Sequence, residues 1–385
     1  ANNQEALDNF KSDIVNAAVE RLILLCTETS EGLSPRELVE GGWRDLVTPF
    51  LKDEPHPPRK ADVGAWRSVM CVSLVDQVVE RVLYTRLLFA LKESFPDSDA
   101  LVGMSFTDEA TKEFASIVQR DLTGRHVSTD VSGWDRSLGA EYLYEAVEAC
   151  IASAVVECPA WSNAARNHVY GLVRPVFIVP DGGTYVLVER PVPGGMLSGS
   201  YLTTLFNTLA RLDASRIAGS LRAKAAGDDC LEVFPDGVDV VARYKTLGFT
   251  IRYAEYHTAD DYEFCSHRYR RDRPGACSLT SWKKLLLRYC LLARVEDEQF
   301  CAAVHETRHN EERDLLRNIF ETVYAESNAT TVETTVGQND IHRNVDISYN
   351  ADQEEQTPIA QREASGAEEV FCPGVDAFWS SQQEC

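Results

Sequence analysis

AKAAGDDCLEVF, residues 223–234, sets two adjacent carboxylates, Asp228 and Asp229, behind a glycine and between two apolar runs. Ala225-Ala226 before the triplet and Cys230 to Phe234 after it predict two short strands joined by a Gly-Asp turn, a hairpin. Neighbouring carboxylates repel, so the pair must stay hydrated or hold a cation. Locally both readings stand: an exposed acidic turn, common in globular proteins, or half of a metal site. Segments elsewhere in the chain decide between them.

The chain has 385 residues, 44% apolar and 25% charged, enough for a large core and ordinary for a soluble globular protein. No apolar run reaches the roughly 18 residues a spanning helix needs, so no transmembrane segment is expected. The start, ANNQEALDNF, has neither the basic nor the apolar region of a signal peptide. Eleven cysteines are scattered singly, without C-x-x-C spacing or zinc-like pairing with histidine, which predicts reduced, cytosolic thiols and no disulfide framework. A net charge of −22 argues at first against nucleic acid. Its distribution changes that inference: residues 1–295 carry 33 Lys and Arg against 40 Asp and Glu, whereas residues 296–385 carry 5 against 20.

Along the chain, residues 1–50 read as helix followed by a loop near Gly41-Gly42, then a Pro-rich basic segment, KDEPHPPRK, and a long helix from Val72 to Leu91. RHVSTDVS (125–132) predicts a strand and SLGAEYLYEAVEACIASAVVE (137–157) a helix. FIVP and TYVLVE flank Asp181-Gly182-Gly183 as a hairpin, and SYLTTLFNTLARLDASRIAG (200–219) predicts another helix. Two or three helices follow from Ser281 to about Tyr324. Residues 325–385 are acidic and poor in large apolar groups until VFCPGVDAFW, the composition of a disordered tail. The fold class is α+β.

In TDVSGWDRSLG, Asp130 ends the predicted strand and Asp135 opens the next helix. A strand-terminal carboxylate is well placed to meet one at a neighbouring hairpin turn, so Asp130, Asp228 and Asp229 could form an oxygen-rich site for two hard cations. Asp135 alone could equally be a helix N-terminal charge. Between these segments, GGMLSGSYLTTLFNTLAR (194–211) combines a flexible loop with Ser198, Thr203 and Asn207, the last two on one helical face. A plain helix start capped by Ser200 is the other reading.

DVSGWD, SGSYLTTLFN and GDD, in that order, resemble motifs A, B and C of positive-strand RNA virus RNA-dependent RNA polymerases, whose patterns are D-x4-D, S-G-x3-T-x3-N and G-D-D. KDEPHPPRKADVGAWRSVMCVSLVDQVVERVLY (52–84) is similar to the motif F segment of sobemovirus and polerovirus polymerases, and YKTLGFTIR and EFCSHRYR to their motifs D and E. The resemblance spans about residues 45–295. It implies a right-hand polymerase: fingers and fingertips in 1–124, a palm with an antiparallel sheet in 125–280, a helical thumb in 281–324 and the tail in 325–385.

It also implies that Asp130, Asp228 and Asp229 hold two Mg2+ ions, with Mn2+ as the alternative. Asp135, Ser198, Gly199, Thr203 and Asn207 would select the ribonucleotide, where a buried hydrogen-bond network left unpaired by a deoxynucleotide gives discrimination. Lys52, Lys60 and Arg67 would line the triphosphate tunnel, or Lys52 and Lys60 would be surface charges. Motif D lacks its usual lysine, since none occurs between Lys245 and Lys283. His257, Arg252 or Lys245 then stands as a candidate general acid, or all three are structural. Arg268, Arg270, Arg271, Lys283 and Lys284 would face the RNA backbone, with a solvated helix face as the plainer reading of 283–288. The implied partners are template and product RNA, ribonucleoside triphosphates and, among viral replication proteins, a genome-linked protein. The implied location is the host cytoplasm. A catalytically inactive RNA-binding scaffold and a reverse transcriptase are the competing classes, the latter disfavoured by the motif B loop.

Overall fold

The computed structural model describes residues 3–52, 62, 66–273 and 275–329. Lys60, nearly all of the KDEPHPPRK segment and the tail from residue 330 lie outside the described residues. Helices α1 (Asn3–Thr27) and α2 (Pro35–Glu40) lead into a ribbon of β1 (Thr48–Leu51) and β2 (Ser68–Cys71), then α3 (Leu74–Glu93). Ser34 and Glu37 form a capping box on α2, and Ser73 Oγ accepts from the Asp76 N–H to start α3. The second cap sets the start of α3 at Leu74, two residues after the expected Val72.

Next come α4 (Asp108–Asp121), β3 (Arg125–Val131), α5 (Trp134–Ser137), α6 (Ala140–Ala152), α7 (Pro159–Leu172), the hairpin β4 (Val176–Asp181) and β5 (Thr184–Glu189), and α8 (Thr203–Ala218). The hairpin β6 (Arg222–Ala226) and β7 (Asp229–Val233), α9 (Val240–Thr246), β8 (Ile251–Thr258), β9 (Asp261–Phe264), β10 (His267–Arg270) and β11 (Ser278–Leu279) complete the sheet region. Three helices follow: α10 (Trp282–Cys290), α11 (Asp297–Glu306) and α12 (Arg313–Ala329). No helix among the described residues is long and apolar enough to cross a membrane.

The main sheet has the order β11-β10-β9-β8-β3-β7-β6, antiparallel throughout, with β3 between β7 and β8. Val127 faces Glu232 and Ser128 faces Leu231, so Val127 and Leu231 lie on opposite faces of the sheet. They join different cores. Val127 packs with α6, α7 and α8 through Leu143, Val169 and Phe206, and Leu231 packs with Phe114 of α4, Tyr262 and Tyr269. A third cluster, Tyr289, Leu316 and Phe320, binds α10 to α12.

Two expected helices begin later than expected. The helix read as 137–157 starts at Ala140 and ends at Ala152, because the chain at Gly139 is extended and bridges Gly194. Val155 and Val156 beyond it are exposed. The helix read as 200–219 starts at Thr203. Ser200 does not cap it: its hydroxyl donates to buried Glu80 at 2.9 Å. Its end is as glycine requires, with Gly219 at φ 99°. All nine cysteines among the described residues are free thiols.

Candidate active site

Gly227-Asp228 is a two-residue turn, since Ala226 faces Asp229, and Gly227 adopts φ 65°, which a side chain would resist. Extending the β3–β7 register by two residues sets Asp130 beside Asp229. Asp130 and the Asp228-Asp229 turn therefore lie at neighbouring ends of two central strands, close enough for Asp228 to act on both other carboxyls. Electrostatics agree: burial raises the Asp130 carboxyl above the ordinary value, with Arg252 opposing and Asp228 adding. Although Asp229 keeps solvent contact at the turn, the protein around its carboxyl pushes it up to about 6, with Asp228 adding and a Cys265 hydrogen bond and Arg211 opposing. Bringing these groups together costs free energy that a cation would offset.

No group of three or more His, Cys, Asp or Glu side chains among the described residues is placed so as to hold a metal ion by itself. Mg2+ does not need one: it keeps several waters and is commonly held by one or two carboxylates plus substrate phosphates. An open edge of mutually repelling carboxylates fits that ion. Asp130 Oδ2 meanwhile pairs with Arg252 Nη1 at 2.9 Å.

The neighbouring residues converge on the same place. Asn207, buried on α8, donates to Asp135 Oδ1 at 2.8 Å. Burial raises the Asp135 carboxyl, the Asn207 bond opposes this, and Asp228 adds to it, while Arg67 and Arg136 act against it. Arg67 is thus close enough to be felt at Asp135, and its carbonyl accepts from the Lys52 N–H at 2.8 Å in the β1–β2 ribbon. Ser198 Oγ accepts from the Met70 N–H at 3.2 Å. Thr203 Oγ1 lies 2.7 Å from the Ser200 carbonyl and 3.0 Å from that of Leu197, so its proton serves the loop and is not held toward Asp135. A Cβ on Gly199 would sit 2.0 Å from the Met70 carbonyl oxygen.

Other expected residues fall elsewhere. His257 pairs in register with His126, four residues along β8 from Tyr253, which faces Asp130. At about 3.3 Å per residue that is roughly 13 Å from the carboxylates, and burial lowers its pKa. It is not placed in this structure as a general acid at the carboxylates. Arg252 cannot be one either, because a guanidinium is not deprotonated in proteins. Lys245, exposed in the last turn of α9, remains. The basic run at 267–273 is largely neutralised: Arg268 pairs with Asp261 at 2.8 Å, Arg270 with Asp272 at 3.3 Å and Arg271 with Asp260 at 3.2 Å. Counting arginines alone overlooked aspartates a few residues away. Lys283 and Lys284 lie on the exposed side of α10, Lys283 with its ammonium 5.6 Å from the Trp282 ring.

His126 supplies a pH signature. It is buried, neither ring nitrogen has a hydrogen-bond partner, and burial with His257 nearby depresses its pKa from 6.5 to about 4. Above pH 6.5 folded and unfolded chains are both neutral there. Below it only the unfolded chain takes the proton, so stability falls as pH drops toward 4, by about 2 kcal/mol between pH 7 and 5. Thermal unfolding of the protein and of His126→Phe should differ in pH slope over that window. Identical slopes would contradict the assignment.

Four further site residues lie inside the quoted segments without occupying a patterned motif position. Glu80 of α3 is fully buried and accepts from Ser200 Oγ at 2.9 Å and the Tyr201 N–H at 2.7 Å, with His168 Nε2 at 3.4 Å, holding the motif B loop. Cys265 and Ser266 form the β9–β10 turn with both φ positive, without glycine, and Cys265 hydrogen-bonds to Asp229. Arg211 follows Thr203 and Asn207 at i+4 spacing on α8, a pattern that could have flagged it.

Residues 104–280 match the family described as viral RNA-directed RNA-polymerase. The chain is 33% identical over 306 residues to the replicase polyprotein P2AB of Southern bean mosaic virus, covering 74% of this chain and 30% of that protein. It is 32% identical over 247 residues to the RNA-directed RNA polymerase of Mushroom bacilliform virus, covering 61% of this chain and 58% of that one. The chain therefore spans about 30% of the length of the first relative. Among solved structures it resembles a Sicinivirus 3Dpol RNA-dependent RNA polymerase, with TM-score 0.56 and 14% identity over 81% of this chain and 67% of the other. The fold is that of a right-hand polymerase, α+β around an antiparallel sheet.

Proposed function

The chain belongs to the viral RNA-directed RNA polymerases related to sobemovirus and polerovirus replicases, and from that premise we propose that it copies a positive-strand viral RNA genome by nucleotidyl transfer. The observation that carries this reading is the Asp228-Asp229 turn at the end of the strand next to the one that carries Asp130, beside a buried Asn207–Asp135 bond. The 3′-hydroxyl of the growing RNA attacks the α-phosphorus of a ribonucleoside triphosphate, and pyrophosphate leaves. Asp130 and Asp228 would act as ligands for two Mg2+ ions, with Asp229 completing the acidic edge. Bound there, the ions would make the 3′-hydroxyl more acidic and neutralise the leaving pyrophosphate.

The protein's own contribution is placement and electrostatics. Arg67 and Lys52 approach the triphosphate from the β1–β2 ribbon. Ser198, Gly199 and Thr203 shape the loop beneath the nucleotide, while Asp135 and Asn207 read the ribose hydroxyls. Arg252, paired with Asp130, holds a positive charge at the site. Lys245 is the remaining side-chain candidate for protonating pyrophosphate. Arg268, Arg270 and Arg271 meet RNA by exchanging exposed aspartate partners for phosphates, an exchange made inexpensive by the small worth of surface ion pairs. The segments 1–124, 125–280 and 281–324 serve as fingers, palm and thumb, and the enzyme works in the host cytoplasm with other viral replication proteins.

Sugar discrimination tests the nucleotide-selecting half of this reading. Asn207→Ala or Asp135→Ala should lower the ratio of ribo- to deoxynucleotide incorporation efficiency at least about tenfold, equivalent to about 1.4 kcal/mol of differential binding. Single-nucleotide incorporation on a primed template measures it. An unchanged ratio would make the pair purely helix-structural.

A further inference from the structure

Four side chains beneath the Gly227-Asp228 turn have no part in the chemistry proposed above. Arg211 of α8 and Glu232 of β7 are fully buried and ion-paired, Nη2 to Oε2 at 3.1 Å. Tyr244 of α9 donates to Glu232 Oε1 and accepts from Arg211 Nη1. Thr129 of β3 donates to Glu232 Oε2 at 2.8 Å and accepts from Arg211 Nη2. One donor remains, and it leaves the cluster: Arg211 Nε donates to the backbone carbonyl of Asp228 at 3.1 Å. One turn earlier on α8, Thr208 Oγ1 accepts from the Gly227 N–H at 2.8 Å. The acidic turn is thus held at both of its central residues by the helix that carries Asn207.

A buried ion pair is a poor choice for filling a core, because apolar residues of similar volume are often as stabilising or more so. Apolar residues cannot donate to the Asp228 carbonyl while also joining β3, β7 and α9. We propose that Arg211 is a positioning residue that fixes the Asp228 turn relative to the nucleotide-reading face of α8 and to the strand ending at Asp130. The inference rests on the proposed activity and deepens it. A carboxylate displaced by about 1 Å can cost roughly a hundredfold in rate, whereas ground-state nucleotide binding, supported elsewhere, should change little.

Three variants of graded severity test this: Tyr244→Phe, Arg211→Lys, and the double replacement Arg211→Met with Glu232→Leu, which removes both buried charges together. For each, the thermal midpoint, RNA affinity, kcat and KM for nucleotide, and Mn2+ affinity without RNA are measured. The expected result is a folded double variant with RNA affinity and KM within about threefold of wild type, weaker Mn2+ binding and kcat lower by roughly a hundredfold. Arg211→Lys, which keeps the charge but loses the fork, should lose about tenfold in kcat. A folded double variant with wild-type kcat overturns the proposal. If the double variant does not fold, Arg211→Lys and Tyr244→Phe decide, and wild-type kcat in both overturns it. Failure of all three to fold also overturns it, since the cluster would then be a folding element. A wild-type chain that extends no primer would instead count against the proposed activity, and Mn2+ affinity would still report on the carboxylates.

Discussion

Asp228→Asn should reduce nucleotide incorporation by at least about a thousandfold, or about 4 kcal/mol of barrier, while changing RNA affinity less than about twofold. Asparagine keeps the size of the side chain and removes its charge, so the turn held by Gly227 and Arg211 persists. What is lost is a ligand charge at the edge where Asp130 and Asp229 also lie. RNA binding rests on phosphate contacts spread over the protein, to which one carboxylate contributes little. Primer extension with Mg2+ alongside filter binding separates the two quantities. Activity above a few per cent of wild type would remove Asp228 from the metal site.

Gly199→Ala should have the second largest effect, a loss of at least about a hundredfold in kcat with the fold retained. The new Cβ would lie 2.0 Å from the Met70 carbonyl oxygen, a backbone atom on β2 that cannot swing away. Overpacking of this kind typically costs 1–3 kcal/mol, and relief requires the loop and β2 to part. That movement would break the bond from the Met70 N–H to Ser198 and strain those from Ser200 and Tyr201 to Glu80. Because Arg67 follows the same ribbon, the triphosphate side should shift as well. Steady-state kinetics with a thermal midpoint check this, and wild-type kcat in a folded Gly199→Ala protein would show that the loop's placement does not matter.

Much of the architecture was legible because it depends on local patterns. The Gly-Asp turn between apolar runs specified the β6–β7 hairpin, and Gly182-Gly183 the β4–β5 hairpin, each through backbone conformations glycine adopts at little cost. Periodicity found α3, α6 and α8 but misplaced starts wherever a long-range contact intervened, as at Gly139, whose bridge to Gly194 keeps it extended. The acidic edge was legible for the same local reason, since strand ends and turns place carboxylates predictably. Its supports were not. Glu80 meets Ser200 across 120 residues, and Arg211 meets Thr129 across 82. No local pattern specifies such pairings. The Cys265-Ser266 turn lies within EFCSHRYR and was legible through the resemblance alone, since it takes positive φ at both positions without a glycine to mark it. The basic run carries less free charge than its sequence suggests, because Arg268, Arg270 and Arg271 pair with Asp261, Asp272 and Asp260 in the folded chain.

The most direct measurement of the central claim is template-directed incorporation by the purified chain on a defined RNA primer and template, with one ribonucleotide supplied at a time. The expected result is Mg2+-dependent addition of the nucleotide complementary to the next template base, suppressed when that base is changed and absent in Asp228→Asn. Addition that ignores the template base, or that persists unchanged in Asp228→Asn, would contradict it.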